Sequence, residues 1–77
     1  MTDEEEIYLC AVRYGLGTMT NITSSIYTFM IEKTDDMSEE CKSIMIRDIK
    51  KCEDYGHVCA KKNWMELLDK LETTPSK

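Results

Sequence analysis

Proline occurs once in this chain, glycine three times and histidine once, and each scarcity excludes something. With so few helix breakers, long uninterrupted helices are permitted. No stretch alternates apolar and polar residues with period two, and β-branched residues cluster only briefly, so strands are not expected. No apolar run approaches the length of a membrane span. The acidic start, Asp3-Glu4-Glu5-Glu6, lacks the cationic and apolar parts of a signal peptide, so a cytoplasmic chain is expected. There the four cysteines, Cys10, Cys41, Cys52 and Cys59, would stay reduced.

Catalytic material is thin. The lone His57 lies near Cys59 in a predicted loop, and a Cys–His nucleophilic pair needs more than that spacing. Cys52, His57 and Cys59, with Cys41 or Cys10 as a fourth ligand, invite a zinc reading. The paired C-x2-C spacing of structural zinc sites is absent, however, and Cys10, Cys41 and Cys52 fall on predicted apolar faces, where cysteine acts as a small hydrophobe. Gly15-Leu16-Gly17 is half of a phosphate-loop pattern without a preceding strand, so a helix stop is the simpler reading. No enzyme, no metal and no cofactor are expected.

What is present describes a binding protein. The chain has 77 residues, 42% hydrophobic and 32% charged, with a formal net charge of -5. That is one domain, too apolar to be disordered and small enough to be marginal without good packing or partners. The net charge argues against direct nucleic-acid binding. Residues 1–40 carry nine acids against Arg13 and Lys33, whereas residues 41–62 carry six bases against Asp48, Glu53 and Asp54.

The pattern predicts an all-α fold, a compact bundle of about four short helices. The single helical domain spans 1–72, and residues 73–77 form a frayed tail. Thr2 and Glu5 have capping-box spacing at the start of the first helix, and Gly15 and Gly17 should end it. Ile7, Cys10, Ala11 and Tyr14 lie on one face of that helix; Leu9, Val12 and Leu16 lie on the opposite face. A two-sided apolar helix is sandwiched by neighbours or shared with another chain. The second helix, capped by Thr20 or Asn21, should present Ile22, Ile26, Phe29 and Met30, with Tyr27 and Ile31 on its other side, and close at Thr34-Asp35-Asp36. Ser38 should cap the third, whose stripe is Cys41, Ile44, Met45, Ile49 and Cys52 and whose stop is Gly56. The fourth should run from about Ala60 to Glu72, with Trp64, Leu67, Leu68 and Leu71 on one face. Met30, Met45 and Met65 are expected in the core.

The candidate binding residues are Arg13, Tyr14, Thr18, Thr20, Arg47, Lys50 and Lys51. Arg13, beside the glycines and the hydroxyls of Thr18 and Thr20, either holds a phosphate or carboxylate or pairs with an acid such as Asp48. The basic set on the third helix is either an anion site or a solvated face with local pairs such as Arg47 with Glu40 or Lys50 with Asp54.

At Cys10-Ala11-Val12-Arg13-Tyr14-Gly15-Leu16-Gly17-Thr18-Met19-Thr20 the chain resembles a group of small proteins from phages and prophages of Gram-positive bacteria. These carry a C-A-x-R-Y-A-L-G-R-x-T-like segment near the start. The resemblance extends to Met45-Ile46-Arg47-Asp48-Ile49 and to Trp64. Gly15 stands where alanine is usual and Thr18 where arginine is usual, which takes that arginine out of any shared anion site. The resemblance implies a phage accessory protein in the cytoplasm of a bacterial host cell. Proteins of that kind include inhibitors of host defence, such as anti-CRISPR proteins, and sponges for cyclic-nucleotide signals. The expected partner is therefore a host protein or a second copy in a homo-oligomer. A nucleotide signal bound by an oligomeric sponge and a small structural or assembly factor are the alternatives.

Overall fold

Helices account for nearly every residue described in the computed structural model, which covers residues 1–18, 22–52, 55 and 58–75. In chain order they are α1 (Asp3–Thr18), α2 (Ile22–Lys33), a 3-10 turn (Thr34–Asp36), α3 (Glu39–Lys51) and α4 (Val58–Thr73). No strand occurs among the described residues. The protein is an all-α bundle.

Local chemistry fixes the helix starts. The Thr2 hydroxyl accepts from the Glu5 amide, and Glu5 accepts in return from the Thr2 amide, both at 3.2 Å. This is the reciprocal capping box, followed by acids in the first turn where the helix dipole favours them. Ser38 caps α3 by accepting from the Cys41 amide at 3.3 Å. At its far end α3 stops at Lys51. The Ile49 carbonyl accepts from the Cys52 amide and, at 2.6 Å, from the buried Tyr55 hydroxyl. Cys52 is thus the half-buried cap of α3 and still packs against the core, as its place on the apolar stripe implied. The expected caps Thr20 and Asn21 and the expected stop Gly56 lie outside the described residues.

Gly15 and Gly17 do not end α1, which continues through both to Thr18. Packing overrides propensity here. A Cβ on Gly15 would sit 2.9 Å from the Ile26 Cδ1 and 3.1 Å from the Trp64 ring. Gly15 therefore lets α1 approach α2 and α4 more closely than any other residue would.

Each helix makes its main contacts with two others in the cyclic order α1, α2, α4, α3. Contacts give the directions. Glu5 reaches Ser38 and Arg13 reaches Asp48, so α1 runs with α3; Tyr27 reaches Glu66 and Lys70 reaches the Ile31 carbonyl, so α2 runs with α4. The molecule is two helical hairpins laid side by side, and its radius of gyration of 11.3 Å is that of a closed domain of this length. Trp64, Leu67, Leu71, Met30, Met45, Cys41, Ile49, Leu9 and Val12 fill the centre.

Two core expectations change, and one buried residue was not expected. Met65 is exposed, whereas Met37, in the connector before α3, is fully buried. Phe29 is 41% exposed, because α2 turns Met30, Tyr27 and Ile31 inward and leaves Phe29 edge-on to Tyr8, with ring centroids 5.6 Å apart, and under Lys33. At the C-terminus, α4 extends to Thr73, and the carbonyls of Thr74 and Pro75 accept from the buried Lys42 ammonium at 2.7 and 2.8 Å. The chain is tied to α3 through Pro75.

Candidate recognition surface

Helical spacing divides the apolar residues of α1 between two faces. Leu9 and Val12 turn inward and are buried, with Leu16 packed against the same core. Ile7, Cys10 and Tyr14 turn outward. Ile7 is 64% and Tyr14 56% exposed, and Cys10 is exposed between them. The second side of α2 has a different fate. Tyr27 and Ile31 are half-buried against the core, and the Tyr27 hydroxyl donates to Glu66 of α4 at 2.6 Å. That hydrogen bond and partial burial raise the Tyr27 hydroxyl above its usual range. Intramolecular packing therefore half-covers Tyr27 and Ile31 of α2, and it leaves Phe29 and the outer row of α1 facing water.

Beside the outer stripe, α1 and α3 enclose a cleft of about 310 Å³ lined by Met1, Glu6, Leu9, Cys10, Arg13, Ile44 and Arg47. Arg13 donates through Nε to the Asp48 Oδ2 at 2.9 Å, and the Arg47 Nε lies 3.8 Å from Oδ1 of the same carboxylate. Of the two readings of Arg13, pairing with Asp48 is the one the structure displays, at the surface rather than buried: its side chain is 53% exposed. Arg47 faces Asp48 instead of the expected Glu40. Lys51 follows one helical turn after Arg47 on the same side of α3. Lys50 lies on the other flank, 3.7 Å from Glu72 of α4; its expected partner Asp54 lies outside the described residues. The candidate set therefore divides. Arg13 and Arg47 line one cleft, with Lys51 a turn beyond it and Tyr14 nearby on the outer face, and Lys50 stands apart. Thr20 and the side chain of Thr18 lie outside the described residues.

A larger cleft, about 600 Å³, opens where the starts of α1 and α3 meet the end of α2, lined by Thr2, Glu4, Glu5, Tyr8, Lys33, Asp36 and Ser38. Its central acid is occupied structurally. The second Glu5 oxygen accepts from the Ser38 amide at 2.7 Å, and this bond, outweighing the cost of burial, holds the carboxyl below its usual range. An acid so bonded has no proton to give at neutral pH. Burial, reinforced by Glu5 and Glu40, pushes the Cys41 thiol up to about 11, so it is an inert core group. Among the described residues no cluster of His, Cys, Asp or Glu could hold a metal ion, and no helix is long and apolar enough to cross a membrane. His57 and the side chain of Cys59 lie outside the described residues.

Sequence reasoning missed Glu5 as a link between two helices, Gly15 as a contact residue and Lys42 as a clamp. Only Glu5 left a signal, since capping-box spacing marked it as a bonded acid. In comparisons with known proteins, no family model matches the chain, and no curated protein and no solved structure matches it either.

Proposed function

We propose that this chain acts by binding a protein, and that its recognition surface is the outer face of α1 with the adjoining α1/α3 cleft. One observation carries the reading: Ile7 and Tyr14, at 64% and 56% exposure, form with Cys10 an apolar stripe that the fold does not use. Exposed apolar surface rimmed by charge, here Glu6, Arg13 and Arg47, is typical of interaction sites. The phage-protein resemblance adds a setting, in which the chain inhibits a host defence component such as a CRISPR effector.

A plaque assay in bacteria carrying a defined defence system tests this. The wild-type chain should restore phage growth, and the doubly substituted Ile7→Lys, Tyr14→Ala chain, helical by circular dichroism, should not. Equal protection by both chains would remove the α1 face from the function. A photo-crosslinking residue at position 7 should capture a protein that the same residue at the exposed position 62 of α4 does not.

A second reading, a sponge for phosphate-containing signals, has one observation in its favour: Arg13 and Arg47 share a cleft. Asp48 and Glu6 compensate part of their charge. A cyclic dinucleotide held there would raise the melting temperature, and no shift at millimolar ligand would dismiss the sponge.

A further inference from the structure

We propose that the occupant of the outer α1 face is a second copy of this chain, its α1 packed antiparallel on the first. The inference rests on the reading of that face as a recognition surface and names what covers it. Asp3, Ile7, Cys10, Tyr14 and Gly17 are all exposed and follow one another at steps of four, three, four and three. That is the spacing of a seam between two helices. It runs the length of a 16-residue helix, about 24 Å at 1.5 Å per residue.

The charges beside the seam choose the partner and its direction. Glu6 and Arg13, seven residues apart, lie on one edge; Glu4 and Ala11 lie on the other. In a parallel pair, opposite edges meet, and Glu6 would face Ala11 of the second copy, with no opposite charges matched. In an antiparallel pair, like edges meet, and Glu6 of each copy faces Arg13 of the other. Two ion pairs then form around a two-fold axis. The same register sets Ile7 against Cys10 of the second copy. It also brings the Tyr14 hydroxyl to the Asp3 carboxylate of the second copy, as donor to acceptor. Arg13 can take part without leaving Asp48, because only its Nε is used there and the guanidinium carries further N–H donors. This pattern is complementary to itself under a two-fold rotation, a property that a site for an unrelated partner has no need of.

One helix face falls at or below the area of standard stable interfaces, so the dimer forms in the micromolar range or weaker and dissociates on dilution. Sedimentation equilibrium from low micromolar to millimolar protein tests the inference. The mass should rise from 9.0 kDa toward twice that value. Ile7→Lys, at an exposed position that leaves the fold intact, should keep the chain monomeric with an unchanged helical spectrum. Glu6→Arg alone and Arg13→Glu alone should each weaken association about tenfold or more, since each turns both ion pairs into repulsions. An equimolar mixture of those two variants should restore it, because every facing pair is then opposite in sign.

A chain monomeric throughout, or a dimer indifferent to Ile7→Lys, overturns the inference. So does a mixture that associates no better than its components. A monomeric chain that still crosslinks a different protein from position 7 sinks the self-pairing alone and leaves the surface assignment standing. A monomer without such a crosslink sinks both.

Discussion

Removing the charge of the buried Glu5 should weaken this protein more than removing that of any of its exposed acids. Glu5 is 6% exposed and binds the starts of two helices at once, through the Thr2 amide at 3.2 Å and the Ser38 amide at 2.7 Å. Hydrogen bonds to a charged group contribute about 1.5–3 kcal/mol each when the donor is left without a substitute. Water can replace Glu5 at exposed Thr2 but less readily at half-buried Ser38, so Glu5→Ala should cost about 2–4 kcal/mol. A chain of this size holds roughly 4–12 kcal/mol in total, and each kcal/mol moves the midpoint by about 4–8 °C. The loss should therefore lower the melting temperature by about 10–25 °C. Glu5→Gln keeps the shape and one acceptor and should lose about half as much. The folded-state pKa of Glu5 lies below its ordinary 4.5. Its contribution is thus complete above the unfolded value and disappears as pH falls through the folded value. Thermal melts followed by circular dichroism at pH 7 and pH 3 read this directly. The gap between wild type and Glu5→Gln should be wide at pH 7 and narrower at pH 3, because the contribution is lost as pH falls from the unfolded value through the lower folded one. Equal melting temperatures at pH 7, or a gap that ignores pH, would refute the reasoning.

A Cβ added at Gly17 would meet nothing within 4 Å, so Gly17→Ala should stabilise by about 0.5–1 kcal/mol. Gly15→Ala should gain nothing and lose up to about 1 kcal/mol, and Gly15→Val should lose about 1–3 kcal/mol, against Ile26 and the Trp64 ring; a gain at Gly15→Ala equal to that at Gly17→Ala in chemical denaturation would dismiss the close-contact argument. Lys42→Met removes a buried charge together with its two bonds, so the net change should stay within about 1 kcal/mol, while amide exchange at Thr74 accelerates because the tail loses its clamp. A brief pulse of iodoacetamide on dilute folded protein should label Cys10 and spare Cys41, as mapped by mass spectrometry; equal labelling would contradict the burial of Cys41.

Local signals were legible because local chemistry produces them. The Thr2–Glu5 and Ser38 caps, the stripe of Cys41, Met45 and Ile49, and the Trp64, Leu67 and Leu71 face all follow from spacing along one helix. Asp48 as the partner of Arg13 was one of two readings that the sequence allowed. What stayed hidden depends on how the helices meet. Gly15 reads as a stop until Trp64 is placed against it. Met37 lies in a connector, where no period marks burial. Lys42 carries a charge that hides its apolar stem, and Phe29 differs from Met30 only in how far α2 is turned. For the candidate site, Arg13 and Arg47 converge because α1 and α3 run together, which the chain order alone does not dictate.

The same helix explains why stability and association should be separable. Inward, α1 supplies Leu9, Val12 and the notch at Gly15, and changes there act on folding through cavities or overlap. Outward, Ile7 is already 64% exposed in the folded chain, so exchanging it for lysine removes little buried area and should shift the melting temperature of the isolated subunit by no more than a few degrees. A bundle shaped only for its own solubility gains nothing from isoleucine, cysteine and tyrosine in one water-facing row. On the proposed reading of that row as a recognition surface, their value is realised when it is covered. If Ile7→Lys unfolded the dilute monomer as readily as a change at Val12, the outer row would belong to the core, and the division between the two faces of α1 would be wrong.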